Sequence, residues 1–466
     1  MEKLVEAERD LLVRAKADVM VAGGGVGGVM AAISAARNGA KTVLAERAPF
    51  LGAVATMGLP LQGFCGSDGR QVVFGLADEF RRRLIEIGGA TDFIPCAMHN
   101  PYVIVDTEKV KLICQRMLLE AGVELLLNAP VVAAAVENHA LKALIVEGKS
   151  GREAISASQF IDCTGDADVV KLSGGRFKFA DRSVLQAKTL NVQMAGVDIR
   201  AIQKELRDNP ESASLYPLLP KNQFVNADRY ILVGLPEYIK RAEENDADAL
   251  WGNVCYITQV NDGCVCLNSV HVSGLNPCDT AQLTQIETTG REQAWLVADF
   301  MKKYIPGFEN AFVTGTGPWA GIRESRIIEG HDTLTQDDVR AGLVTDSTIA
   351  LGCYPIDFHT KGTSDGSGTD AKDAIDGLRF EKVPVYGIPY GCLVPRGVEN
   401  LLVAGRAISA TRTAMSSSRV MAQCMAEGEA AGLAASICAQ EGCSPEQIDV
   451  ARLRSMLVDG GVKLSR

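Results

Sequence analysis

The chain has 466 residues, a formal net charge of −10, 47% hydrophobic and 22% charged residues. That length points to two domains and that composition to a globular protein. The acidic balance argues against nucleic acid or anionic lipid as a main partner.

The N-terminal stretch "MEKLVEAERDLLVRAKAD" carries charges throughout and shows no signal-peptide core. No uncharged apolar stretch is long enough for a membrane span. Thirteen cysteines without a secretion signal suggest reduced thiols and a cytoplasmic location.

In chain order, 18–23 reads as a buried strand, 27–39 as a helix rich in small residues, and 41–46 as the next strand. This β-α-β frame carries Gly23-x-Gly25-x-x-Gly28, with Val26 and Gly27 inside the motif. The first glycine permits the tight turn, and the second lets backbone approach a pyrophosphate. The third allows close helix–strand packing, and the helix N-terminus faces the phosphates. Glu46 closes the second strand and suits an adenosine ribose. The frame and the distal acid together point to dinucleotide binding.

Residues 107–121 read as a helix capped by Thr107 and ended by Gly122, followed by the strand "VELLL". "PVVAAAVE", "ALKALIVE" and "EAISASQFIDCTGD" read as a small meander and a returning strand that ends on Thr164, Gly165 and Asp166. From Phe177 to Val383 the βα rhythm is lost, which marks a second domain. There Asn261-Asp262-Gly263 makes a hairpin turn that sets Cys264 and Cys266 on one face as small buried side chains, with no metal called for. Residues 360–377 are rich in Gly, Ser, Thr and Asp and read as a mobile loop or lid. "ENLLVAGR" restores the pattern as a strand ending on Gly405 and Arg406, and residues 417–442 read as one long helix. Two strands returning to one cofactor from both ends of the chain favour FAD over NAD.

The segments "GGGVGGVMAAISAARNGAKTVLAER", "FLGAVAT", "IDCTGDAD", "GIRESRIIEG", "CYPIDFH" and "IPYGCLVPRGVENLLVAGRAISAT" follow one another across residues 16–440. In this order they resemble the FAD-dependent oxidoreductases of the glutathione-reductase-like superfamily. The likeness is greatest to the bacterial family related to the flavoprotein subunit of heterodisulfide reductase. The resemblance implies an α/β protein: a Rossmann-like FAD-binding domain of glutathione-reductase type (16–176 and 384–445) with an inserted α+β substrate domain (177–383). A tail over 446–466 follows. It implies noncovalent FAD with Gly23, Gly25, Gly28, Glu46 and Arg47 on the ADP half and Val132 near the adenine. Gly52, Thr56, Gly405, Arg406 and Ser416, Ser417 and Ser418 would lie nearer the pyrophosphate and flavin. Ala53 replaces the second glycine the family usually carries at this close approach.

Disulfide-reducing relatives carry a C-x-x-x-x-C pair soon after the first acid, where this chain has only Cys65. No C-x-x-C occurs, so iron–sulfur and zinc sites are not expected. The run Gly315–Gly321 lacks the βα frame of a second dinucleotide site. Electrons then pass through the substrate site, a redox partner protein or a diffusible acceptor.

His359 is the candidate for proton transfer, against a structural histidine at a domain interface. Histidines 99, 139, 271 and 331 lack comparable context. Arg323 and Arg326 are candidate anchors for an anion, against ion pairs with Glu324 or Glu329. A helical segment would put both arginines on one face; an extended one would let only one reach the site.

The reading that follows is an FAD-dependent oxidoreductase exchanging a hydride with a small anionic substrate of unsaturated or hydroxylated acid type. The alternative is an electron-transfer subunit docked on a redox partner. A flavin-dependent enzyme acting on a macromolecule is a third reading, disfavoured by the acidic balance. An oligomer is left open.

Overall fold

The apolar runs of the first fifty residues form the expected β-α-β unit in a computed structural model, which describes residues 4, 8–96, 100–180, 185–209, 231–245, 255–359 and 378–465. Strand β1 (Leu12–Ala22) leads into helix α1 (Val26–Arg37), and strand β2 (Thr42–Glu46) runs parallel to β1. β1 starts before residue 18 because its charged first half pairs with a later strand, at Glu153–Ala157. The 360–377 segment and His99 lie outside the described residues.

Helices α2 (Leu76–Glu86) and α3 (Thr107–Glu120) follow. The cap of α3 is Asp106 rather than Thr107: its carboxylate accepts from the N–H groups of Glu108 and Lys109. Strand β3 (Glu124–Leu127) adds to β2, and strands β4 (Val131–Glu137), β5 (Ala140–Gly148) and β6 (Gly151–Asp162) form the meander. β6 returns parallel to β1, and Leu401–Val403 pairs parallel with its far end. One sheet therefore takes strands from both ends of the chain.

Alternation along β1 splits the interior into two cores. Val19 and Val21 join the helical face, with α1 and the C-terminal helices. Met20 and Ala22 join the opposite face, with Leu144 and Val146 of β5. The C-terminal segment forms two helices, Arg412–Ser418 and Met421–Glu441, where one was expected. The chain breaks at Arg419–Val420, with Val420 extended at ψ 160°. The second helix lies backbone to backbone on α1: a Cβ on Gly428 would stand 2.1 Å from the Gly27 carbonyl, and one on Gly432 2.1 Å from that of Ala31. Any side chain there would push the helices apart.

A second unit has its own five-stranded antiparallel sheet. Its spatial order is Phe312–Thr316, Val192–Ala195, Cys264–Leu267, Cys255–Asn261, Ile231–Gly234. The Cys255–Asn261 and Cys264–Leu267 strands are the expected hairpin. Helix Thr280–Tyr304 covers this sheet through Val297 and Met301, in a core separate from the first.

This second core is narrower than 177–383. Phe177–Phe179 pairs with Arg326–Ile328, and Thr348–Gly352 pairs with Tyr386–Pro389. Leu334, Ile349, Ile356, Phe358 and Val383 pack into the first core, so the second spans roughly 190–320. Residues 446–466 are not a loose tail either. Helix Val450–Asp459 buries Leu453 and Leu457 against the first core.

Candidate active site

A cavity of about 440 Å³ runs from the glycine loop to the wall of the second unit. Its first end is built from backbone. Gly23 sits at φ +102°, and a Cβ there would come within 2.5 Å of the Cys163 carbonyl. A Cβ on Gly28 would stand 1.9 Å from the Gly23 carbonyl, which is the close helix–strand packing expected of the third glycine. No side chain caps α1, whose first residues Val26 and Gly27 line the cavity together with Gly25. An uncapped helix N-terminus behind glycines is a fitting cradle for a pyrophosphate. Glu46 is on the wall, but its carboxylate already accepts from Gly24 N–H (2.5 Å) and Ala48 N–H (2.8 Å). It therefore also fixes the shape of the glycine loop.

The two returning strands end side by side. Arg406 Nη2 lies 2.6 Å from Asp166 Oδ1, and Thr164, Gly165, Asp166, Gly405 and Arg406 all line the cavity. Burial works to raise the Asp166 carboxyl, but the Arg406 guanidinium holds it below its ordinary range. Ala53 also lines the cavity, at φ +41°, the left-handed region that its added methyl disfavours. Trp319 of the second unit stacks on Phe50 at 5.2 Å with rings 2° apart, and the Arg47 guanidinium lies 5.6 Å from the Trp319 ring. This pair bridges the two units along the cavity wall.

The other end is built from side chains. His359 ends the strand Ile356–His359 and holds the Asp357 carboxylate at 3.1 Å through Nε2. With the carboxylate as acceptor, the imidazole proton sits on Nε2 and Nδ1 carries the lone pair. Nδ1 is buried and has no hydrogen-bond partner among the described residues. Burial, reinforced by the Arg323 charge, pushes His359 down to about 4, so the ring is neutral at pH 7. The His271 ring lies 5.8 Å away and is held well below its ordinary value, by burial and by Arg323.

Two guanidiniums complete this end. Arg419 Nη2 donates to Gln186 Oε1 (3.2 Å) and the Asp357 carbonyl (3.1 Å). Arg323 Nη1 donates to the Ala187 carbonyl (2.6 Å) and is 8% exposed. Among the described residues, no carboxylate stands within ion-pair distance of Arg323. Burial and the Arg419 charge push it down to about 10, so it remains cationic at neutral pH. Behind them, Arg412 holds Glu324 through two bonds of 2.5 and 3.0 Å, and Glu324 accepts from Gln186 N–H. That bidentate pair fixes the segment which carries Gln186.

The segment Ile322–Arg326 is extended rather than helical, so the two arginines part. Arg323 lines the cavity; Arg326 does not and instead donates to the Asp166 carbonyl (2.6 Å) and Asp168 Oδ1 (2.7 Å). Val132 also lies off the wall, which Pro130 and Val131 form. Gly28, Gly52 and Thr56 are not among the cavity's lining residues either. Ser416, Ser417 and Ser418 are buried inside their helix: Ser417 Oγ bonds the Tyr354 carbonyl and the Tyr386 hydroxyl. The adjoining wall belongs to Arg419, Val420 and Met421, because the helix breaks there. The Gly315–Gly321 run is a sheet margin, with Gly321 N–H bonded to the Thr189 carbonyl. His271, Asp357 and Arg419 are site residues that sequence reasoning did not single out.

The cavity joins a glycine-lined, uncapped helix N-terminus to a cluster of ionisable side chains, an arrangement that fits a dinucleotide cofactor at one end and acid–base chemistry at the other. The family model for FAD dependent oxidoreductases matches residues 18–457, and the chain belongs to that family. It is a flavoenzyme, and FAD is its cofactor. No curated protein matches it in sequence.

Among solved structures, it is similar to a geranylgeranyl bacteriochlorophyll reductase-like protein from Thermoplasma acidophilum. That match has 13% identity and a TM-score of 0.47, over 96% of this chain and 84% of that one. The flavin-dependent brominase Bmp2 matches at 12% identity and a TM-score of 0.47, over 96% and 83%. p-Nitrophenol 4-monooxygenase PnpA from Pseudomonas putida DLL-E4 matches at 12% and 0.44, over 96% and 86%. Likeness this distant bears on neither reaction nor substrate. No helix among the described residues is long and apolar enough to cross a membrane.

Proposed function

We propose that this flavoenzyme exchanges a hydride equivalent between FAD and a small carboxylic acid, hydroxylated or unsaturated, within a glutathione-reductase-type FAD-binding arrangement. The arrangement is supported by the sheet, which takes strands from both ends of the chain and continues past β6 into the β-meander. Gly23, Gly25, Val26, Gly27 and Glu46 would hold the ADP half, and Gly405, Arg406 and Met421 would continue the wall toward the flavin. Bound flavin supplies two-electron redox chemistry.

The observation that carries the substrate class is Arg323. A cation 8% exposed, on a cavity wall and without a carboxylate at ion-pair distance among the described residues, is an incomplete ion pair. A substrate carboxylate would complete it, and Arg419 adds a second positive charge on the same wall. Asp357 orients His359 through Nε2, and the neutral ring holds a lone pair at Nδ1 that can take the proton of a hydroxyl group. In the reverse direction the same nitrogen returns it.

The test is anaerobic flavin absorbance of the purified protein against small hydroxy acids and their amides. The unsaturated acids are tested against the chemically reduced protein. Acids should change the flavin spectrum and the amides should not. Arg323→Met should raise the apparent KM for the acids at least about tenfold, the loss of one charge-assisted contact. Amides that react as well as the acids would overturn the reading.

A further inference from the structure

The long C-terminal helix Met421–Glu441 ends on Gly442 at φ +67°, and the N–H groups of Gly442 and Cys443 both donate to the Cys438 carbonyl. In such a C-cap the residue four before the glycine and the one just after it meet side chain to side chain. Usually that contact is apolar. Here both residues are cysteine, in Cys438-Ala-Gln-Glu-Gly-Cys443. The turn, closed by the Cys443 N–H on the Cys438 carbonyl at 3.2 Å, sets the two side chains beside each other, and burial together with the neighbouring Cys443 pushes the Cys438 thiol up. Cys438 is fully buried and Cys443 partly exposed, so one sulfur is open to a reagent and the other is shielded behind it.

Other cysteines are arranged differently. Cys264 and Cys266 are close in sequence, but two residues apart along a strand their side chains stand too far apart to bridge. Cys266 Sγ donates to the Met57 carbonyl, and Cys353 Sγ lies on the carbonyls of Gly63 and Cys65. These thiols are bonded to backbone.

We propose that Cys438 and Cys443 form a reversible redox modification site, closed to an intrachain disulfide by hydrogen peroxide. Cys443 Sγ attacks one peroxide oxygen, the O–O bond breaks, and a sulfenic acid and one water form. Cys438 Sγ then attacks the Cys443 sulfur, the S–O bond breaks, and the hydroxyl leaves as a second water. Each sulfur gives up one electron, the peroxide takes up two, and both thiol protons end on water. The turn already brings the two side chains together, so closure keeps the helix end in place. The cap is held from outside as well: Gln159 Nε2 donates to the Cys443 carbonyl and the Tyr390 hydroxyl to that of Pro445.

The holoenzyme is treated with hydrogen peroxide, its remaining thiols are alkylated, and tandem mass spectrometry locates the bond. The expected product is a Cys438–Cys443 bridge that a dithiol reductant reverses, with the flavin spectrum unchanged. Cys443→Ser should leave Cys438 reduced after the same treatment and keep the yellow fold. The proposal is overturned if Cys443 is fully alkylated after oxidation, or if it proceeds to sulfinic or sulfonic acid while Cys438 stays a free thiol.

Discussion

The glycine end and the histidine end of the cavity are made in different ways. The glycine end is mostly main chain, and one continuous stretch, Gly23–Gly28, supplies its cradle. The histidine end is side chain: His271, Arg323, Asp357 with His359, and Arg419 arrive from four separate segments. Backbone grip demands the absence of side chains and so repeats as a local pattern. Chemistry demands the convergence of side chains, which only the fold can arrange.

Changes at the glycine end should therefore remove the cofactor, and changes at the histidine end should spare it. The largest effect belongs to Gly28→Val, whose Cβ would stand 1.9 Å from a carbonyl oxygen. The protein should purify colourless, read by flavin absorbance per mole of chain; a yellow variant would break the division.

Arg326→Met should separate the two arginines. It removes a buried cation from Asp168 and should cost roughly 2–3 kcal/mol of stability by chemical denaturation. The KM for acids should stay put, unlike that of Arg323→Met.

Lys188 sharpens the contrast from inside the histidine end's support. It is fully buried, its ammonium has no hydrogen-bond partner among the described residues, and burial pushes it from 10.5 down to about 8. Between these values the unfolded chain binds the proton and the folded chain does not, so stability rises with pH from about 8 to about 10.5. Lys188→Met should stabilise the protein at pH 7 by on the order of 2 kcal/mol and abolish that rise. The smallest effect is Ala53→Gly, which relieves a left-handed alanine and should stabilise by under about 1 kcal/mol.

The first β-α-β, the meander and the strand at Leu401 were legible because each carries its own period and turn residues. The domain limits were not. Thr348–Gly352 and Tyr386–Pro389 look like any short strands, and only their pairing assigns them to the first core. The Arg323–Arg326 question turned on helix against extended chain, which the two residues between the arginines do not decide. The break at Arg419–Val420 was hidden because Ser-Ser-Arg-Val-Met can continue a helix; the resemblance pointed to Ser416–Ser418, while Arg419, Val420 and Met421 line the cavity. His271 follows an ordinary hairpin strand, and no local signal marks it.

The account rests on His359 acting at the reactive end while the cofactor is held elsewhere. The most direct measurement is the anaerobic stopped-flow rate of flavin reduction by a reactive hydroxy acid, in wild type and His359→Ala, with bound FAD quantified in both. Equal FAD content and a rate lowered about 10²–10⁴-fold in the variant are predicted. An unchanged rate, or a variant slowed only because it has lost its FAD, would contradict it.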